Sequence, residues 1–286
     1  MKKNIILFIT FSIGLSIFLY PIITNYISYQ NGLWQIKTYE KSIQGISEED
    51  YSSILLEAKK YNKELIENYE KIIEDEKGYY NQINIPNTDI MGYIYIEKLN
   101  IDLPIYHGME DAVLQVGIGH FQGSSLPIGG ENTHSALLGH RGLPTAKLFT
   151  HLDKLKIGDN FTIKILKEKL FYKVDQIEIV EPDEVLEKLK IEENKDLVTL
   201  VTCTPYGINT ERLLVRGIRT DEVETSRTNI EKIFNKNYNK NILTIVTIIV
   251  LTIVIISIII TSLHQKNKKG KKVKKESNEI YKKYFN

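Results

Sequence analysis

Leu197–Arg219 reads LVTLVTCTPYGINTERLLVRGIR. Two runs rich in Val, Leu and Thr flank a short connection holding Pro205, Gly207 and Asn209, all turn formers. The pattern predicts two strands, Leu197–Cys203 and Leu213–Arg219, with Cys203 where strand meets loop. If the runs pair as a hairpin with Cys203 opposite Arg212, both side chains share one face. A guanidinium beside the sulfur favours the thiolate and can donate hydrogen bonds to a developing oxyanion. The plainer reading is that Cys203 is a small buried hydrophobe and Arg212 a surface charge. Cys203 is the only cysteine, so no intrachain disulfide can form.

Working outward, further short β-rich runs lie at Gly92–Ile96, Leu103–Tyr106, Ser135–Leu138, Phe161–Leu166 and Leu170–Ile179. Turn signals separate them at Gly129-Gly130 and Gly158-Asp159. Pro182–Leu189 is expected to be a short helix, with Asp183 and Glu184 in its first turn. Many short strands at this spacing imply a single β-barrel or sandwich. Upstream, Tyr39–Ile73 carries apolar residues at helical spacing, and Ser47-Glu48-Glu49-Asp50 is a helix start. Gly78–Thr88, with Asn81, Asn84, Pro86 and Asn87, reads as a loop.

Two segments are long and apolar enough to cross a bilayer. Asn4–Ile23 is uncharged and follows Lys2 and Lys3. It is long for a signal-peptide core and no small-x-small cleavage site follows, which favours an uncleaved anchor. Ile242–Leu263 is uncharged and dominated by Ile, Val and Leu; Lys266–Lys275, KNKKGKKVKK, follows closely. By the positive-inside rule both termini are cytoplasmic and about Thr24–Asn241 is extracellular. The expected division is residues 1–25 as signal anchor, 26–90 as a helical extension and loop, and 91–220 as the β-rich domain. Residues 221–241 then form a linker, 242–263 a second transmembrane helix and 264–286 a Lys-rich cytoplasmic tail.

The net charge of +1 gives no electrostatic case for nucleic acid. The six histidines are His107, His120, His134, His140, His151 and His264. His140 ends the run SALLGH beside Gly139 and Gly142, a strand-end position only modestly preferable to that of His120. The histidine spacing with a single cysteine makes a poor zinc set, and P-loop, dinucleotide and G-x-S-x-G motifs are absent. No cofactor or metal is expected.

The segment LVTLVTCTPYGINTERLLVRG resembles the active-site strand pair of sortases, especially the pilin-assembling class C group. ALLGHRGLPTAKLFTHLDKLKIGD resembles that group's histidine segment, and MGYIYIEKLNIDLPIYHG its first strands. The resemblance covers about Met91–Arg219. It implies an eight-stranded sortase β-barrel and assigns Cys203 as nucleophile, His140 as acid/base and Arg212 as oxyanion stabiliser. It further implies transpeptidation of proteins bearing an LPXTG-like sorting signal, with a pilin lysine or a peptidoglycan precursor as acceptor. The rivals are a housekeeping sortase that only anchors proteins to the wall, an idle scaffold that binds sorting signals, and a papain-like peptidase. Two departures stand out. Glu211 occupies the position before the arginine where the family usually has His, and strand alternation turns it to the opposite face. The loop Gly78–Ile90 lacks the Asp-Pro-aromatic anchor of many class C lids, leaving Tyr79, Tyr80 and Asp89 as candidate lid residues.

Overall fold

A computed structural model describes residues 2–221, together with positions 249, 252, 253 and 270. The chain divides into two compact units, residues 1–229 and 230–286. All but three positions of the expected second membrane helix, most of the linker and nearly all of the Lys-rich tail lie outside the described residues. The first unit holds the barrel and its helical extension.

Eight strands close into one barrel in the order β1-β2-β3-β4-β7-β8-β6-β5. They are β1 Ile90–Ile96, β2 Ile101–His107, β3 Ile118–His120, β4 Thr133–Leu138, β5 Asn160–Ile165, β6 Glu168–Val180, β7 Asp196–Thr204 and β8 Glu211–Thr220. All seven strands expected from the sequence are present, and most run a residue or two further at their ends. Those added positions include polar residues such as Asp196 and Glu211, which ladder hydrogen bonds recruit although their side chains carry no strand signal. β3 is not among the expected strands. It is three residues long with Gly119 at its centre, and it exists through parallel pairing with β2 and antiparallel pairing with β4.

Pleat alternation sorts the β7 and β8 side chains onto two faces. Val198, Leu200, Leu213 and Val215 point inward and belong to the main core. Val201 and Leu214 point outward and form a smaller cluster with Val180, against which Leu138 and Val185 pack.

The helical extension wraps the barrel. α1 runs without interruption from Lys2 to Gln44, well past the apolar segment at 4–23. It buries Ile36, Tyr39 and Ile43. Tyr39 Oη donates to the Met91 carbonyl at 2.9 Å and accepts from Leu166 N at 2.6 Å, pinning the helix to β1 and to the β5–β6 turn. α2, Glu48–Glu67, starts as expected: the Ser47 hydroxyl accepts from Asp50 N at 3.0 Å, satisfying an amide that the first turn leaves without a partner. Its buried residues Ala58, Tyr61, Asn62 and Leu65 follow helical spacing. Asn62 exchanges two hydrogen bonds with the backbone of Leu126, at 2.7 and 3.2 Å.

α3, Tyr69–Glu74, and α4, Glu76–Tyr80, follow. The expected loop therefore begins after Tyr80, because an Asp75 side chain accepting from Gly78 N at 2.9 Å caps one more helical turn. The expected helix at Pro182–Leu189 is present as a 3-10 turn, Pro182–Glu184, continuing into a helical turn at Val185–Lys188.

Candidate active site

The site lies where three neighbouring strands end. β7 pairs antiparallel with β8, and the register sets Cys203 opposite Arg212, the pairing expected from sequence. On its other side β7 runs parallel to β4, with Leu138 beside Val201. Gly139 continues that ladder: its N–H donates to the Val201 carbonyl at 3.1 Å and its carbonyl accepts from Thr202 Oγ1 at 2.7 Å. Extending the register one step further sets His140 beside Cys203. By that extrapolation His140, two residues past the end of β4, lines up with the paired Cys203 and Arg212, and all three are partly exposed.

Cys203 shares the outward face with Val201, and Arg212 with Leu214. The small apolar cluster of Val180, Val201 and Leu214 therefore forms a floor leading up to the sulfur. Further along the same face the surface turns polar and internally satisfied. Arg216 makes a two-pronged bond to Asp175 at 2.7 and 3.1 Å and also meets Glu192 at 2.6 Å. Glu211 pairs with Thr204, one residue out of phase with the Cys203–Arg212 row.

Arg212 Nη1 donates to the carbonyls of Asn209 at 3.1 Å and Glu211 at 3.0 Å. These bonds aim the guanidinium by its own loop while leaving other N–H groups for a substrate oxygen.

The His140 segment is held by its neighbours. Phe149 N donates to the His140 carbonyl at 3.2 Å, and Gly142 N to Thr150 Oγ1 at 3.2 Å. Gly139 is required by space: a Cβ there would lie 2.6 Å from Ile118 Cδ1 and 2.7 Å from Phe149 Cδ2. Arg141, whose role the sequence did not disclose, ties the segment to β7. Its Nη1 donates to Thr204 Oγ1 at 3.1 Å and its Nη2 meets Asp153 at 2.9 Å. Its guanidinium lies 5.9 Å from the centre of the Tyr206 ring. Arg141 thus joins the residue after the histidine to the residue after the cysteine; the one signal in the sequence was its adjacency to His140.

The other described histidines are engaged elsewhere. His120 is fully buried, with Nε2 2.9 Å from the Ser125 carbonyl oxygen and Nδ1 3.0 Å from Tyr79 Oη. Burial pushes it down to about 3, so it stays neutral at physiological pH. His134 places Nδ1 2.8 Å from the Lys190 carbonyl oxygen and Nε2 2.7 Å from Thr199 Oγ1, and burial lowers it too. His107 Nε2 lies 2.6 Å from the Gln82 carbonyl oxygen, and burial likewise lowers it. His151 is exposed beside Lys154 and Lys147.

The candidate lid residues lie on another part of the barrel. Tyr79 is fully buried; its Oη accepts from Gly108 N at 2.9 Å and lies 2.9 Å from the His120 carbonyl oxygen. Tyr80 donates to Glu110 at 2.6 Å. Both rings pack against His107. Asp89 is exposed just before β1. The structure therefore pairs Cys203 with Arg212, with His140 lined up beside them by extension of the β4–β7 register, and sets Tyr79 and Tyr80 against His107 and His120, where none of their hydrogen bonds reaches the other three. Both α2 and α3 meet the β3–β4 connection: Tyr61 Oη donates to the Gln122 carbonyl at 3.3 Å, Asn62 bonds Leu126, and Gln122 Nε2 donates to the Ile73 carbonyl at 3.0 Å.

Comparison with known proteins agrees with this geometry. The family model for the sortase domain matches residues 94–220. Sortase A of Streptococcus agalactiae is 30% identical over 240 residues, covering 80% of this chain and 89% of the relative. Among solved structures, sortase C1 from Streptococcus agalactiae is 50% identical with a TM-score of 0.63, covering 66% of this chain and 98% of that one. Clostridium perfringens sortase C, solved with the C-terminal cell wall sorting motif, is 48% identical with a TM-score of 0.60, covering 66% and 100%. A barrel of this topology, a single cysteine at its strand end and these matches together place the chain in the sortase family of cysteine transpeptidases.

Proposed function

We propose that the chain joins a protein bearing an LPXTG-like sorting signal to the amine of a pilin lysine, through a thioacyl intermediate on Cys203. The reading is carried by the single row of His140, Cys203 and Arg212 at the end of an apolar floor. A substrate strand laid on Val201 and Leu214 brings its scissile carbonyl to the sulfur. The thiolate attacks the Thr carbonyl carbon, and Arg212 donates hydrogen bonds to the oxygen as it gains charge. Collapse breaks the Thr–Gly amide, and His140 gives its proton to the departing Gly nitrogen. The acceptor amine then attacks the thioester, His140 takes up the amine's proton, and the thiolate leaves. One imidazole thus serves both halves, and the reaction is balanced without a cofactor.

Both partners begin at the outer face of the membrane, which suits an enzyme anchored there by residues 4–23 and 242–263 with both termini cytoplasmic. The similarity to sortase C structures supports the pilin lysine as acceptor. The similarity to a Sortase A across most of the chain supports the second reading, in which a peptidoglycan precursor accepts and the protein is anchored to the wall. Reconstitution with the major pilin separates them. A ladder of covalent multimers should form and should vanish when the pilin's acceptor lysine becomes alanine. Products carrying only wall-precursor amines would favour anchoring, and absence of any Cys203-linked acyl adduct by mass spectrometry would leave only the scaffold reading.

Tyr79, Tyr80 and Asp89 are proposed as the fixed base of a lid rather than its moving part. Tyr79 bonds His120 and Gly108, and Tyr80 bonds Glu110, so these contacts hold the end of the extension against the barrel, and any moving part of a lid would lie elsewhere in it.

A further inference from the structure

We infer that the active-site end of the barrel rests on the outer membrane surface, with Tyr206 and Ile208 at the tip of the β7–β8 loop seated in the lipid headgroup layer. This rests on reading residues 4–23 as the membrane-crossing part of α1. It does not depend on which peptide or amine reacts.

The helix supplies the ruler. An apolar run of ~20 residues at ~1.5 Å per residue just spans a hydrocarbon core of ~30 Å, so Thr24 and Asn25 fall at its outer boundary. Before that point Phe11, Ile13, Ile17, Phe18, Ile22 and Ile23 are exposed, as lipid-facing residues would be. Beyond it the same unbroken helix lies on the barrel: Gly32 packs against Pro104, and Ile36, Tyr39 and Ile43 are buried. Tyr20, Tyr26 and Tyr29 bracket the boundary, where amphipathic rings are favoured.

At that boundary the helix meets the His140 loop. Asn25 Nδ2 donates to the Pro144 carbonyl at 3.0 Å, and Thr24 Oγ1 at 3.4 Å. The loop that begins with His140 is therefore level with the edge of the hydrocarbon. The β7–β8 loop lies directly against it: a Cβ on Gly142 would sit 3.2 Å from the Tyr206 ring. Tyr206 is nevertheless 60% exposed and Ile208 67% exposed. Neither Arg141–Phe149 nor Pro205–Thr210 contains an acid that an anionic surface would repel. The other end of β7 is built differently, from Glu131, Asn194 and Asp196. Nine residues at ~3.3 Å each put it ~30 Å away. The apolar tip beside the emerging helix is thus confined to the His140 and β7–β8 loops: at the same end β6 stops at Val180, opposite Arg212, and runs into the exposed acidic turn Glu181–Glu184, which would have to stay clear of the lipid.

The test uses the full chain with Cys203→Ser, reconstituted into vesicles of phosphatidylethanolamine and phosphatidylglycerol. A fluorophore is attached in turn through Ile208→Cys, Glu131→Cys or Ile17→Cys. Lipids carrying a quencher at headgroup depth should quench the probe at 208 several-fold more than the probe at 131. Quenchers deep in the acyl chain should act on the probe at 17. Equal quenching at 208 and 131, with 17 quenched, overturns the docking. Shielding of 208 from aqueous iodide without lipid quenching also overturns it, in favour of a protein partner. An unquenched probe at 17 removes the span itself and the inference with it. No arm involves turnover, so failure here is distinct from failure of the proposed transpeptidation.

Discussion

Two polar clusters sit on this barrel, built from similar residue types and opposite in design. Around His120 and Tyr79, burial is complete, and both imidazole nitrogens and the phenol oxygen meet partners at 2.9–3.0 Å. Around Cys203 the side chains are half-exposed, and the bonds that fix them come from backbone and neighbours: Gly139, Arg141, and the Asn209 carbonyl that aims Arg212. The first arrangement stabilises a fold because nothing in it is left to react. The second suits the role proposed for it, because its scaffold is satisfied while the side-chain groups that would react are left exposed. His120, buried with both nitrogens engaged and its pKa depressed, is a strut; His140, past a strand end and held through its main chain, leaves its ring available for the proposed chemistry.

The largest effect that would break this contrast is loss of the nucleophile. Cys203→Ala should abolish the thioacyl adduct in mass spectrometry while leaving the thermal midpoint nearly unchanged; residual transpeptidation would show that the row is not the site. Arg212→Lys should lower kcat/KM by ~100-fold or more, since a point-charge ammonium cannot replace a planar donor fork at an oxyanion.

The strut should answer differently. Tyr79→Phe strands a buried histidine nitrogen and the Gly108 amide, and should cost about 1–3 kcal/mol in denaturant unfolding while the folded fraction keeps its activity. The pH dependence follows from the same cluster. Burial lowers His120 to about 3 from an unfolded value of ~6.5, so the unfolded chain binds the extra proton between those limits. Its contribution is fully present above ~6.5 and falls away as pH drops towards 3, by at most ~1.4 kcal/mol per pH unit. A His120→Asn variant should show a shallower loss of stability over that window, although His107 and His134, also lowered, keep part of the slope. The smallest effect sharpens the lid reading. Tyr80→Ala, which frees Glu110, should change the rate at which Cys203 reacts with a small thiol reagent by a few-fold at most; an order-of-magnitude rise would make Tyr80 part of the cover itself.

Sequence reading succeeded where the pattern was local. The β7–turn–β8 run carried its own register, because a short connection with Pro205, Gly207 and Asn209 allows few pairings, and so Cys203 and Arg212 were found together. The Ser47 cap and the β-rich segments were legible for the same reason. What failed to show was set by distant partners. Tyr79 looked like a loop residue because its three bonds reach Gly108 and His120, some thirty to forty positions away. β3 is too short to carry a period. The His140–Cys203 relation depends on a parallel pairing between β4 and β7, with β5 and β6 intervening, so family resemblance had to supply what spacing could not. Arg141 was hidden because its partners Asp153, Thr204 and Tyr206 come from two other segments.

That parallel β4–β7 pairing also bears on when the enzyme becomes active. Antiparallel neighbours can zip from a turn, but β4 and β7 pair in parallel across the intervening β5 and β6, a contact of high sequence separation that forms slowly. His140 reaches Cys203 through this late contact. A chain lacking β4 keeps Cys203 but loses the pairing that lines His140 up with it. On the mechanism proposed above, acyl transfer should therefore be absent until the barrel is complete.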